Sequence, residues 1–284
     1  MIEPEHNPLE WSEQPSPGSS PPGYKTSPPV DEPVAQLPRA VFPPWSAWDV
    51  AAVLAFTVAS IVLFTALALG AAHLLTGKRH VPLGDLASSP IVVIGSQVAA
   101  YPLVIAFMMF LVRNKSRLDF WRTIQWNWPK ARAIVFLLAG VGFAFVVELA
   151  SRYLPIPKSL PVDKFFTDRL GAYLMAIFGI TLAPLLEELF FRGMLYPLVR
   201  RAAGVTAAVL VTATTFAFIH GGQLDYAWAP LVSIFVVGLV FTLVRERTGS
   251  VAASFLMHCG YNLALFGSLW VASDGFLHLE KAMN

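Results

Sequence analysis

Pro184-Leu185-Leu186-Glu187-Glu188-Leu189-Phe190-Phe191-Arg192 sets two adjacent carboxylates inside an apolar run that extends from about 172 to 199. An ionised carboxylate in hydrocarbon costs several kcal/mol unless it is paired. Acids at such positions therefore face a protein interior or a water-filled cavity, and by default they mark a functional site. On a helix, Glu188 and Arg192 are i,i+4 neighbours and can pair, whereas Glu187 lies about 100° around the barrel and is left free. Pro184 has no N–H for the carbonyl of Ile180, so the turn before the acids is loosened and that carbonyl must find another partner. The local backbone is thus able to open towards water.

The chain around this stretch is 56% hydrophobic and only 13% charged, with a mean hydropathy of +0.60. A soluble domain carries about 25% charged residues, so the composition indicates a polytopic, all-α membrane bundle. A net charge of +2, spread over short loops, argues against a nucleic-acid partner and leaves the lipid bilayer as the expected surroundings. Cys259 is the single cysteine, which rules out an internal disulfide or a thiolate cluster and reads as a small buried apolar residue.

Seven runs approach the roughly 20 residues that a membrane-crossing helix needs. They are approximately 48–75, 91–112, 131–153, 172–199, 204–222, 229–245 and 250–272. Residues 1–44 are rich in Pro, Ser, Glu and Gly, as in Gln14-Pro15-Ser16-Pro17-Gly18, and read as a disordered cytosolic tail without a cleavable signal. Residues 45–130 hold the first two spans and a segment, Arg117 to Trp128, whose alternating aromatic and polar groups suit the membrane surface. The polar residues that interrupt the apolar spans fall in 131–275, and 276–284 is a short tail. Most of the 20 Lys and Arg residues, including Lys25, Arg39, Arg113, Lys115, Arg200 and Arg247, fall on the amino-terminal side of this arrangement. The positive-inside rule then places the amino terminus in the cytosol and, with seven spans, the carboxyl terminus outside.

Three further polar positions interrupt the spans: His220 in Phe216-Ala217-Phe218-Ile219-His220, and the pair in His258-Cys259-Gly260-Tyr261-Asn262. His258 and Asn262 share one helix face, as do Phe216 and His220. At a rise of ~1.5 Å per residue, Glu187, His220, His258 and Asn262 lie about 20, 24, 12 and 18 Å from the cytosolic ends of their helices. Four polar groups from three helices thus converge in one part of the bilayer. Taken alone, a membrane histidine or an i,i+4 His/Asn pair can serve helix packing. Two adjacent glutamates have no packing rationale. Glu148 and Arg152, near the end of the third span, read as an interfacial ion pair.

Glu187-Glu188-x-x-x-Arg192, Phe216-x-x-x-His220 and His258-x-x-x-Asn262 together resemble the three-motif signature of the CPBP family. This family comprises CAAX prenyl proteases and bacteriocin-processing enzymes, also called the Abi family of intramembrane proteases. The motifs are complete and in order, and the resemblance covers about residues 131–272. It implies an endopeptidase with Glu187 as the general base, His220 holding the water or the developing transition state, His258 and Asn262 as the oxyanion hole, and Glu188 with Arg192 as a supporting ion pair. The implied substrate is a peptide or a prenylated protein, and the implied location is a bacterial plasma membrane. Although the family has been described as metalloproteases, the sequence lacks a His-Glu-x-x-His motif. The expectation is therefore no cofactor, with zinc held by Glu187, His220 and His258 as the alternative. A non-catalytic immunity or assembly factor, or an ion-coupled carrier, would use the same acids. A carrier, however, has no need of His258 and Asn262 on one face and should show an internal repeat, which is not found.

Overall fold

The computed structural model describes residues 42–76, 83–116, 118–157, 159–166 and 168–278, and every regular element among them is helical. The helices are α1 (Ala47–Thr76), α2 (Leu83–Ala87), α3 (Pro90–Lys115), α4 (Phe120–Thr123), α5 (Ala133–Ser151), α6 (Arg169–Ile180), α7 (Leu182–Glu188), α8 (Tyr196–Ile219), α9 (Trp228–Thr248) and α10 (Val251–Ala272). A π-helical turn, Leu189–Leu195, joins α7 to α8. Of the tail expected at 1–44, residues 1–41 fall outside those described, whereas Pro43 is buried and its carbonyl accepts from Arg201, so the packed chain begins before residue 45.

Local chemistry sets the ends. Asp119, Asp168 and Ser250 cap α4, α6 and α10 by accepting from the backbone N–H of Arg122, Gly171 and Ala253. Gly249 closes α9 in the left-handed region at φ 62° and donates its N–H to the carbonyl of Arg245.

The chain is a helical membrane bundle. Among the described residues, six helical stretches are long and apolar enough to cross a bilayer. The fourth, Arg169–Ile219, has 51 residues, which at ~1.5 Å per residue is about twice the length one crossing needs. It breaks at Thr181 and again at Gly204, whose φ of 81° and ψ of 178° suit glycine alone. The spans expected at 172–199 and 204–222 are therefore the two arms of this run. Large apolar side chains such as Val62, Val146, Ile177 and Phe218 cover the outside of the bundle, as a lipid-facing surface requires.

One core joins α1, α3 and α7 through Val53, Val104, Met108 and Leu186, and a second joins α5, α9 and α10 through Ala144, Phe241 and Met257. In the surface segment Trp121 and Trp128 are exposed, but Phe120 and Ile124 are buried. Its end is tied to the α9–α10 turn: Val251 N–H donates to the Gln125 carbonyl at 3.0 Å, and Asn127 Nδ2 donates to the Gly249 carbonyl at 2.9 Å. The expected Glu148–Arg152 pair is not formed; both side chains are exposed, where such a pair is worth only ~0–1 kcal/mol.

Candidate active site

The site begins where α6 ends. The helix breaks at Thr181, three residues before Pro184, and resumes as α7, which carries Glu187 and Glu188 at its carboxyl end. The π-turn follows directly. Such turns release backbone carbonyls from the regular ladder and are frequent at functional sites. Here the carbonyl of Arg192 accepts from Arg245 Nε at 3.2 Å, and that of Met194 accepts from Trp45 Nε1 at 3.0 Å. Two side chains remote in sequence thus hold the backbone next to the acids.

Glu188 and Arg192 are fully buried and pair at 2.9 Å. Every oxygen of Glu188 is engaged: Oε1 accepts from Arg192 Nη1 and from His258 Nδ1 at 3.1 Å, and Oε2 accepts from the Ser254 hydroxyl at 2.6 Å. The guanidinium is equally occupied, donating to the Gly238 carbonyl at 3.0 Å and to the Thr242 hydroxyl at 3.3 Å. Its Cζ lies 4.6 Å from the centre of the Phe216 ring. This pair is a structural hub: both carboxylate oxygens and three of the five guanidinium N–H groups are engaged within the protein.

Glu187 is different. Its Oε1 lies 4.0 Å from His220 Nε2, its Oε2 lies 3.7 Å from His258 Nε2, and a fifth of its side chain is open. Among the described residues it makes no direct hydrogen bond. Both imidazoles are oriented from behind. The Phe216 carbonyl, which only accepts, lies 2.8 Å from His220 Nδ1, so the proton sits there and Nε2 presents a lone pair. His258 Nδ1 likewise donates to Glu188. Asn262, the remaining motif residue, donates Nδ2 to the carbonyl of Gly179 at 2.6 Å, in the last turn of α6 before the break. One amide hydrogen of Asn262 is left over.

The helix carrying His258 and Asn262 is located by a close crossing. A Cβ on Gly140 of α5 would lie 2.0 Å from the Met257 carbonyl, and one on Gly260 of α10 would lie 2.0 Å from the Leu137 carbonyl. Only hydrogen at both positions lets the two backbones touch. Glu187, Phe216, His220, His258 and Asn262 then line one cavity of about 570 Å³, in the range of small-ligand sites, to whose wall α1 and α3 also contribute.

Glu187, Glu188, Arg192, His220 and His258 are thus brought together, and Asn262 reaches the cavity edge while bound to α6. Ser254, Thr242 and Arg245 were not singled out from the sequence. Ser254 was within reach, since 254, 258 and 262 form one i,i+4 row on α10. Thr242 and Arg245 carry no such signal.

Glu187, His220 and His258 thus form an acid–histidine cluster inside a helical membrane bundle. Residues 169–264 match the family described as type II CAAX prenyl endopeptidase, Rce1-like. The match bears out the resemblance drawn from the three motifs. It supports an endopeptidase of the CAAX-processing kind over the segment that holds every one of them. No curated protein and no solved structure matches the chain.

Proposed function

We propose that the chain hydrolyses peptide bonds within the membrane by a glutamate-activated water. The observation that carries this reading is the division of labour between adjacent acids: Glu188 is saturated by Arg192, His258 and Ser254, whereas Glu187 faces a cavity and two imidazole edges. A water between Glu187 and His220 gives one hydrogen to the carboxylate and the other to the His220 Nε2 lone pair. Glu187 takes the proton as the water oxygen attacks the scissile carbonyl carbon. The developing oxyanion is met by the free amide hydrogen of Asn262 and by His258, which must carry a proton on Nε2 as well as Nδ1 to donate. The C–N bond then breaks, and the proton held by Glu187 passes to the leaving amine.

Zinc is the alternative. The donor types suit it, but ligand atoms bound ~2.0–2.1 Å from a tetrahedral zinc lie closer together than these do. Glu187 is 4.0 and 3.7 Å from the two imidazole nitrogens, and among the described residues no group of three is spaced to hold a metal ion. These spacings favour the metal-free reading, in which Glu187 itself activates the water.

The substrate class we infer is a peptide or prenylated protein, and the membrane a bacterial plasma membrane with the amino terminus in the cytosol. The test is cleavage of a quenched, farnesylated CAAX-type peptide and a peptide library in reconstituted vesicles. General-base help is worth about 10²- to 10⁴-fold, so Glu187→Gln should lose at least the lower figure while staying folded. Retained cleavage in that variant rejects the base assignment, and loss with a strong chelator, restored by zinc, rejects the metal-free mechanism.

A further inference from the structure

We propose that Gln97 and Tyr101, on α3, hydrogen-bond the main chain of the bound peptide from the wall of the cavity that the acid–histidine cluster also lines. The assignment rests on the peptidase reading above and deepens it, because α3 lies outside the segment matched by the family and nothing there assigns it a role.

The wall supplied by α1 and α3 is apolar except at Thr57, Gln97 and Tyr101. Thr57 spends its hydroxyl proton on the Val53 carbonyl of its own helix at 2.7 Å. The other two form an i,i+4 pair in which the Tyr101 hydroxyl donates to Gln97 Oε1 at 3.0 Å. Having donated its only proton, the phenol oxygen keeps its lone pairs as acceptors. Gln97 Nε2 reaches the Val93 carbonyl at only 3.4 Å and has a second hydrogen besides. The pair therefore offers one acceptor and one donor side by side. An extended peptide presents the matching groups, since the N–H and C=O of one residue point to the same side of the strand.

Placement makes the pair usable. Tyr101 is 7% exposed, and its ring is fixed against Phe178 at 5.5 Å. Tyr101 and Glu187 line the same cavity. Both side chains keep hydrogen-bonding capacity beyond the bonds they make to each other and to Val93, and a substrate that enters the cavity can take it up.

The experiment has two arms with one probe, a farnesylated CAAX-type peptide. Cleavage kinetics are read for the wild type, Tyr101→Phe and Gln97→Met, and binding of a fluorescent copy is read in the Glu187→Gln background with and without the same changes. Losing one uncharged hydrogen bond should weaken binding about 3- to 10-fold, seen as a higher KM with kcat retained and a matching rise in Kd. Methylating the peptide nitrogen that pairs with Tyr101, found by scanning the probe, should weaken binding to the wild type by a similar factor and add nothing in Tyr101→Phe. Unchanged Kd in both variants, or a fall in kcat at constant KM, overturns the proposal. Weakened binding without any cleavage by the wild type would sustain it while sinking the peptidase reading. Normal cleavage with unchanged binding would do the reverse.

Discussion

Glu187 and Glu188 are neighbours with the same side chain, and their environments make them opposites. Glu188 is buried with its counter-ion, and a buried ion pair is tolerated only when the remaining donors and acceptors are also satisfied. Arg192 meets that condition through Gly238, Thr242 and the face of Phe216. Removing one partner leaves an uncompensated charge, so Glu188→Gln should cost about 3–5 kcal/mol of stability. Glu187→Gln should cost much less, because its carboxylate is partly open and unpaired. Denaturation of the two variants in detergent checks the contrast; equal losses would mean that Glu188 is not the hub. Arg192→Lys keeps the charge but not the planar fork that reaches three acceptors. It should lose about 2 kcal/mol, in line with charged hydrogen bonds worth ~1.5–3 kcal/mol each.

At the level of elements, α5 against α10 decides where His258 sits. The reciprocal contacts of Gly140 with the Met257 carbonyl and of Gly260 with the Leu137 carbonyl leave no room for a methyl group. Gly140→Ala should therefore cost about 1–3 kcal/mol or more from overpacking and push α10 away from Glu187, lowering activity as well. Gly142, two residues on in the same helix, has nothing within 4 Å of its Cβ position. Gly142→Ala should be neutral or stabilising by up to about 1 kcal/mol, since alanine is the better helix former. Thermal unfolding and cleavage measured on both variants separate a packing contact from a general intolerance of alanine in α5. The π-turn belongs to this scale too, because its carbonyls are held from α9 by Arg245 and from the entry to α1 by Trp45.

Across the whole molecule, the amino-terminal helices are more than an anchor for the motif-bearing ones. Trp45 reaches Met194, Arg201 donates to the Pro43 carbonyl at 2.6 Å, and Arg245 reaches Gln125 at 2.6 Å. These bonds tie α1 and the surface segment to the turns beside the acids, while α1 and α3 contribute to the wall of the cavity. The break at Gly204 matters for topology. If both arms of the 51-residue run cross the bilayer, the chain crosses seven times and its ends lie on opposite sides. Reporters fused to the two termini should then give opposite responses, with the amino-terminal one cytosolic. Matching responses would mean that one arm does not cross.

The membrane bundle, the pairing of Glu188 with Arg192 and the freedom of Glu187 were legible in the chain itself. They depend on one-dimensional quantities: the length of an apolar run against bilayer thickness, and residues four apart on one helix. The family resemblance was legible for the same reason, since its motifs are i,i+4 pairs. Only the tertiary structure decided that Ser254 and His258 close around Glu188, that Asn262 spends an amide hydrogen on Gly179, and that Tyr101 and Gln97 line the same cavity as Glu187. Distances between helices come from many weak contacts summed over the interface, such as two glycines meeting two carbonyls. No single stretch of sequence contains that sum.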